Sequence, residues 1–309
     1  MRITCDAMDL SLTCTAYIPD LFWIVISLMF AFVAIVFGLG KILTRSDLEA
    51  TARTELREVV LSIAIGLGCV GMALALCNTT VFIIPFFENV NNVFKGANME
   101  IPDHFRPAEM YLSILTNNIG VPMIINLEAL AFTSYLAQTT VRSMSGINFL
   151  SATGTLSNVI GFFIGLIFSP MISSINIQLL AMSIAKATGL AVILPAGIVA
   201  RAFKFTREAG SFLIALGIGL YFLWPILYII NYEISLRIFP TLDLIVIEPP
   251  TNLSAFPSPD MVNILIDQMF NNFSRGSQLL LQGLVLPLLN MTIFISFVRV
   301  FSEFISAIR

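Results

Sequence analysis

The chain has 309 residues, of which 57% are hydrophobic and only 11% are charged, with a formal net charge of −3. A soluble domain carries about a quarter charged residues, so a water-soluble globule is excluded. The apolar runs are about 20 residues long, the length of membrane-crossing helices rather than of outer-membrane strands. The fold class expected is therefore all-α: one polytopic helical membrane domain. The small net charge says nothing about a nucleic-acid partner until it is resolved by side of the membrane.

Four cysteines, Cys5, Cys14, Cys69 and Cys77, with no CxxC and one histidine, exclude a zinc or iron–sulfur site of the usual pattern, and no cofactor is expected. Cys5 and Cys14 share the N-terminal tail and are candidates for a disulfide, with Cys77 as an alternative partner and reduced thiols as the equal alternative. The first span, residues 18–40, lacks a small-residue cleavage site and reads as a retained helix. Lys41, Arg45, Arg53 and Arg57 follow it within a short stretch, which directs that stretch to the cytoplasm and the N-terminus outside.

Ser46 and Glu49 form a capping box, from which a helix should run straight into the second span, residues 59–77. Gly66, Gly68 and Gly71 match GxGxxG, but no strand precedes them, so close helix packing rather than dinucleotide binding is expected. Residues 78–108 form an outer segment, in which Phe86, Phe87, Val90, Val93 and Phe94 make the apolar stripe of an interfacial helix. His104 reads as an exposed loop residue, since no second titratable group stands at motif spacing.

The third span, residues 109–137, should kink at Gly120 and Pro122 and carries Glu128 at depth, where a carboxylate is costly. Residues 155–170 and 176–200 read as two further spans, the first with the GxxxG pair Gly161 and Gly165, the second with Lys186 near its middle. Glu128 and Lys186 are candidates for an intramembrane ion pair, either a register-fixing contact or a proton or cation relay. The division near Pro170 is chosen on charge. With seven spans Lys41, Arg45, Arg53, Arg57, Arg142, Arg201, Lys204, Arg207, Arg299 and Arg309 lie inside, against Arg2, Lys95, Arg106, Arg237 and Arg275 outside. The C-terminus is then cytoplasmic. A six-span chain with one very long fourth helix is the alternative.

Pro195 and Gly197 predict a helix break, after which Arg201, Lys204 and Arg207 form a basic cluster before the sixth span, residues 209–230. Thr206 should cap that span, with Glu208 at its positive end. Ser211, Ala215 and Gly219, and likewise Ala181, Ala185 and Gly189, repeat small residues at i, i+4, i+8, so the two helices should pack as a tight hairpin. Residues 237–275 form a second outer segment. It holds a strand-like run, the sequons at Asn252 and Asn272, and an amphipathic helix from Ser258, Pro259 and Asp260; a third sequon begins at Asn78. The last span, residues 279–300, should kink at Pro287.

No Walker A, GxSxG, HExxH or kinase pattern occurs, and the expectation is a protein that is not an enzyme. The stretch 194–225 resembles the signature of archaeal CedA-type membrane proteins, on Leu194, Pro195, Ala196, Gly197, Arg201, Thr206, Arg207, Gly210 and Pro225. Position 200 is Ala where a larger apolar residue is usual. That family comprises DNA-import components related to the polytopic inner-membrane subunit of type IV secretion and conjugation systems. The resemblance covers about a tenth of the chain by motif and implies a membrane subunit of a DNA-transfer machine, part of its translocation channel or platform. Its implied partners are membrane lipid, a separate motor ATPase, other small membrane subunits and DNA as transported substrate, with oligomers allowed. On this reading Arg53, Arg57, Arg201, Lys204 and Arg207 face the motor or the strand. The competing expectations are a small-solute or ion transporter, using the breaks at Gly120–Pro122 and Pro195–Gly197 with Glu128 and Lys186, and a passive membrane scaffold.

Overall fold

A computed structural model describes residues 3–6, 13–16, 20–44, 46–78, 87–96, 103–142, 151–202, 205–238, 267, 270, 272–274 and 276–307. Lys204, the strand-like run and the start of the second amphipathic helix lie outside the described residues, as do Arg45 and Arg309.

The chain opens with an antiparallel hairpin, β1 (Ile3–Asp6) and β2 (Thr13–Ala16), whose register sets Cys5 opposite Cys14. Everything else described is helical apart from short turns: α1 (Asp20–Ile42), α2 (Ser46–Asn78), α3 (Glu88–Gly96), α4 (Phe105–Ile114), α5 (Val121–Arg142), α6 (Ser151–Phe163), α7 (Ser169–Thr188), α8 (Leu194–Ala202), α9 (Arg207–Ile218), α10 (Trp224–Ile238) and α11 (Leu286–Ala307). Among the described residues four helices are long and apolar enough to cross a membrane: Phe105–Tyr135, Ser157–Arg201, Arg207–Ile238 and Asn272–Ala307.

Each of those four contains a π-helical segment, and one contains two: Leu115–Gly120, Ile164–Phe168, Gly189–Ile193, Gly219–Leu223 and Leu281–Val285. Every one of the five is followed at its second position by a proline, namely Pro122, Pro170, Pro195, Pro225 and Pro287. Proline has no N–H and its ring crowds the carbonyl four residues back. The preceding residue reaches back five residues instead: Val121 to Thr116, Ser169 to Ile164, Leu194 to Gly189, Trp224 to Gly219 and Leu286 to Leu281. One widened turn thus lets the helix continue past each proline.

This corrects two expectations. Pro195 and Gly197 do not break the chain; they lie inside α8, with the widened turn just before it. Nor is there a turn between residues 170 and 176, because Ser157–Arg201 is one helix of 45 residues. It corresponds to the very long helix of the six-span alternative.

The described fold divides into two compact units, the first formed by Met1–Ala108, Ala181–Glu233 and Asn290–Arg309, the second by Glu109–Leu180 and Ile234–Leu289. In the first unit α1 and α2 lie side by side and both touch α8. The face of α2 turned inward carries Ala52, Val59 and Gly66, spaced by seven, whereas Leu56, Gly68 and Gly71 are exposed. Only the first glycine of the GxGxxG run is therefore at a packed face. In the second unit α5 and α6 pair, and Gly120, Gly276 and Gly283 admit Ile172, Phe168 and Ile175 against their backbones. A Cβ on Gly161 or Gly165 would meet no atom within 4 Å, so the expected close approach at that GxxxG pair is not made among the described residues.

Candidate functional site

The stretch 194–225 folds as the hairpin of α8 and α9, and glycines bring the two backbones together. A Cβ on Gly210 would fall on the Arg201 backbone nitrogen and within 2.7 Å of the Arg201 Cα; one on Gly197 would lie 2.8 Å from the Ile214 nitrogen. Further along, a Cβ on Gly217 would lie 2.9 Å from the Gly189 carbonyl oxygen. Such approach is open only to residues without a side chain. Ser211 and Ala215 are buried as expected, but Gly219 turns to α11, where a Cβ would lie 3.0 Å from the Phe294 ring.

Arg201 occupies the last turn of α8, where unpaired carbonyls favour a cation. It is the largest fully buried side chain described, 1% exposed, and so it cannot face a motor or a nucleic-acid strand in this fold. Burial follows from its place across from Gly210, in the tightest part of the hairpin. Thr206 also acts differently from expectation. Its hydroxyl makes no capping bond to α9 and instead donates to the Ala200 carbonyl at 2.6 Å, closing the end of α8. Of the remaining cluster, Arg53 and Arg57 are exposed on the first turns of α2, and Arg207 is half-buried at the start of α9.

A second polar centre in the first unit was not legible as a site. Asp103 caps α4 by accepting the N–H groups of Phe105 (3.1 Å) and Arg106 (2.9 Å), and its other oxygen pairs with Lys186 Nζ at 2.7 Å. Lys186 is thus held by Asp103, with its ammonium 5.8 Å from the centre of the Phe105 ring. Glu128, expected as its partner, is exposed on α5. The neighbouring His104 is buried, against the expectation of an exposed loop residue, and its Nε2–H donates to the Tyr221 carbonyl at 2.8 Å. That carbonyl stands four residues before Pro225 and is one that the proline leaves without its helical partner. Burial pushes the His104 pKa below its ordinary value; the Tyr221 bond and the Asp103 charge oppose this less strongly, and Lys186 adds to it. The imidazole is therefore a neutral donor.

The second unit repeats the device: Gln178 Nε2 donates to the Gly283 carbonyl, four residues before Pro287, at 3.4 Å. A third buried polar group, Glu233 near the end of α10, is fully buried and accepts from Asn89 Nδ2 (2.7 Å) and the Val90 N–H (3.1 Å). A carboxylate on the first turn of a helix satisfies free donors and the positive dipole end. Val90 and Phe94 are buried, so much of the apolar stripe of α3 faces protein, not lipid as expected of an interfacial helix.

Among the described residues no group of three His, Cys, Asp or Glu side chains could hold a metal ion. No protein family, curated protein or solved structure matches the chain.

Proposed function

We propose that the chain is a multi-pass cell-membrane subunit of a DNA-transfer machine, without catalytic chemistry of its own, that forms part of the translocation channel or its platform beside a separate motor ATPase. The observation that supports this reading is where the resemblance falls. Pro195, Gly197, Arg201, Thr206 and Gly210, which carry it, are the residues that build the α8–α9 hairpin: the widened turn, both close backbone contacts, the buried cation and the end of α8. The similarity is thus to a folding unit rather than to a scattered composition.

The docking face we propose is narrower than the basic cluster read from the sequence. It rests on Arg53 and Arg57, exposed on α2 just after the α1–α2 turn, where Lys41 is exposed as well. That turn is cytoplasmic whether the chain crosses six or seven times, because only the first span precedes it. We read Ser157–Arg201 as a single crossing, since a continuous helix has no place to turn back. The sides assigned after residue 201 are then reversed, and the C-terminus lies outside.

The test is double charge reversal, Arg53→Glu with Arg57→Glu, in cells that depend on this chain for DNA uptake. Membrane levels should be unchanged and uptake should fall by about tenfold or more, the loss expected for rim charges that steer a partner. A mild-detergent pull-down of the native chain should bring down a DNA-dependent ATPase, and the reversed variant should not. Undiminished uptake would remove the proposal, and small membrane subunits alone, with no uptake defect, would favour a scaffold. For the ion-transport alternative the carboxylate paired with Lys186 is Asp103 rather than Glu128.

A further inference from the structure

An open groove of about 450 Å³ runs between α9 and α11 on the first unit. On α9 it is lined by Phe212 and Leu216, one helical turn apart. On α11 two ridges line it, Phe294, Val298 and Ser302 on one and Ile295, Arg299 and Glu303 on the other. Both ridges step by four residues, and both change from apolar to polar in the same direction. At the apolar end Gly219 lets α11 come close, since its absent Cβ would lie 3.0 Å from Phe294 and 3.3 Å from Val298. The volume is in the range of small-molecule sites, and the two helices belong to segments long and apolar enough to cross a membrane. Hydrocarbon depth at one end and headgroup depth at the other follow from that gradient.

We propose that this groove holds one phospholipid whose headgroup carries a phosphate followed by a primary ammonium. An acyl chain lies along Phe212, Leu216, Phe294, Ile295 and Val298; the phosphate meets Arg299 and the Ser302 hydroxyl, and the ammonium meets Glu303. Charge selects this occupant over an anionic lipid. Arg299 Nε and Glu303 Oε1 stand 3.3 Å apart, and both side chains are mostly exposed, so the pair is weakly held and opens readily. A guanidinium suits phosphate, but an anionic head would set its charge beside Glu303 and leave that carboxylate unpaired. Phosphate and ammonium together satisfy both side chains. The flanking turn of α9 does not alter the balance, because Arg207 and Glu208 there are also of opposite sign.

The chain reports on its own groove. It has two tryptophans, and Trp224 packs edge-to-face on Phe294 with ring centres 5.2 Å apart. In a Trp23→Phe background the emission comes from Trp224 alone, and a brominated acyl chain in the groove quenches it. The full chain is placed in nanodiscs with rising fractions of dibrominated phosphatidylethanolamine, phosphatidylglycerol or phosphatidylcholine. Half-quenching should need about fivefold less phosphatidylethanolamine than either other lipid, a modest difference for one charge-assisted contact. Glu303→Gln should abolish the advantage over phosphatidylglycerol, and Arg299→Gln should weaken both. Neither side chain is buried, so both variants retain the fold. Identical curves for the three lipids, no quenching by any of them, a preference for phosphatidylglycerol, or a preference that survives both substitutions would overturn the proposal.

Discussion

A neutral histidine in a buried corner makes stability depend on pH. The pKa of His104 is depressed in the folded chain and near 6.5 in the unfolded one. Between those values the unfolded chain binds the additional proton, so stability rises with pH across the interval. The contribution is complete above about pH 6.5 and is lost as the pH falls through the folded value. Thermal melts in detergent should therefore drop as the pH is lowered below about 6.5, and His104→Gln, which keeps a donor for the Tyr221 carbonyl, should flatten that slope. Gly210 gives a second test at this scale. A methyl group there meets backbone atoms that cannot swing away, so Gly210→Ala should cost about 3 kcal/mol, the upper range of overpacking, read from the same melts. The sequence supplied the cation of Arg201 and the small residues around it. It did not say that Gly210 lies directly across from Arg201, a close approach that helps to enclose the cation. The partner of Lys186 was hidden for a similar reason: Asp103 lies outside the apolar runs and meets Lys186 only in the folded chain.

Helices were legible where periodicity is strong. α1 and α2 run as the apolar spacing and the start signal at Ser46 require. Proline was legible as a disturbance but not as a widened turn, since sequence shows the missing donor and not which carbonyl is used in its place. Glu233 was unreadable as a cap because its helix, α3, lies 143 positions earlier in the chain. Removing it by Glu233→Ala should cost about 2 kcal/mol, as for hydrogen bonds to a charged group. Hydrogen exchange across α3 should quicken by about thirtyfold, with other helices unchanged. In the N-terminal hairpin Cys5 and Cys14 are cross-strand partners. Such Cα atoms lie about 4.5–5.5 Å apart, inside the span of a disulfide. Purified from an oxidising compartment, the chain should show this crosslink by non-reducing mass analysis, and Cys14→Ser should abolish it.

Four described helices are long and apolar enough to cross a membrane, and charges and helix lengths give different counts of crossings. Ten Lys and Arg against five favoured seven spans, while a helix of 45 residues has a contour of about 68 Å, well beyond one hydrocarbon core. Burial of Arg201 accounts for part of the conflict, because a cation enclosed by protein no longer reports a side of the membrane. Single-cysteine labelling settles it. Arg57→Cys should react only from the cytoplasm and Thr206→Cys only from the opposite face, as one crossing requires; labelling of both from the same face would restore the seven-span chain.

The pairing of His104 with the Tyr221 carbonyl also constrains how the protein is made. A carbonyl that proline has left open and that protein encloses must find its donor within the fold. The helix Arg207–Ile238 emerges from synthesis with such a group and must meet a donor that was made 117 residues earlier. Insertion of that helix is thereby tied to arrival of the Asp103–His104 corner. A chain cut between them should fail to hold its C-terminal helices in the membrane, although their hydropathy alone would carry them in.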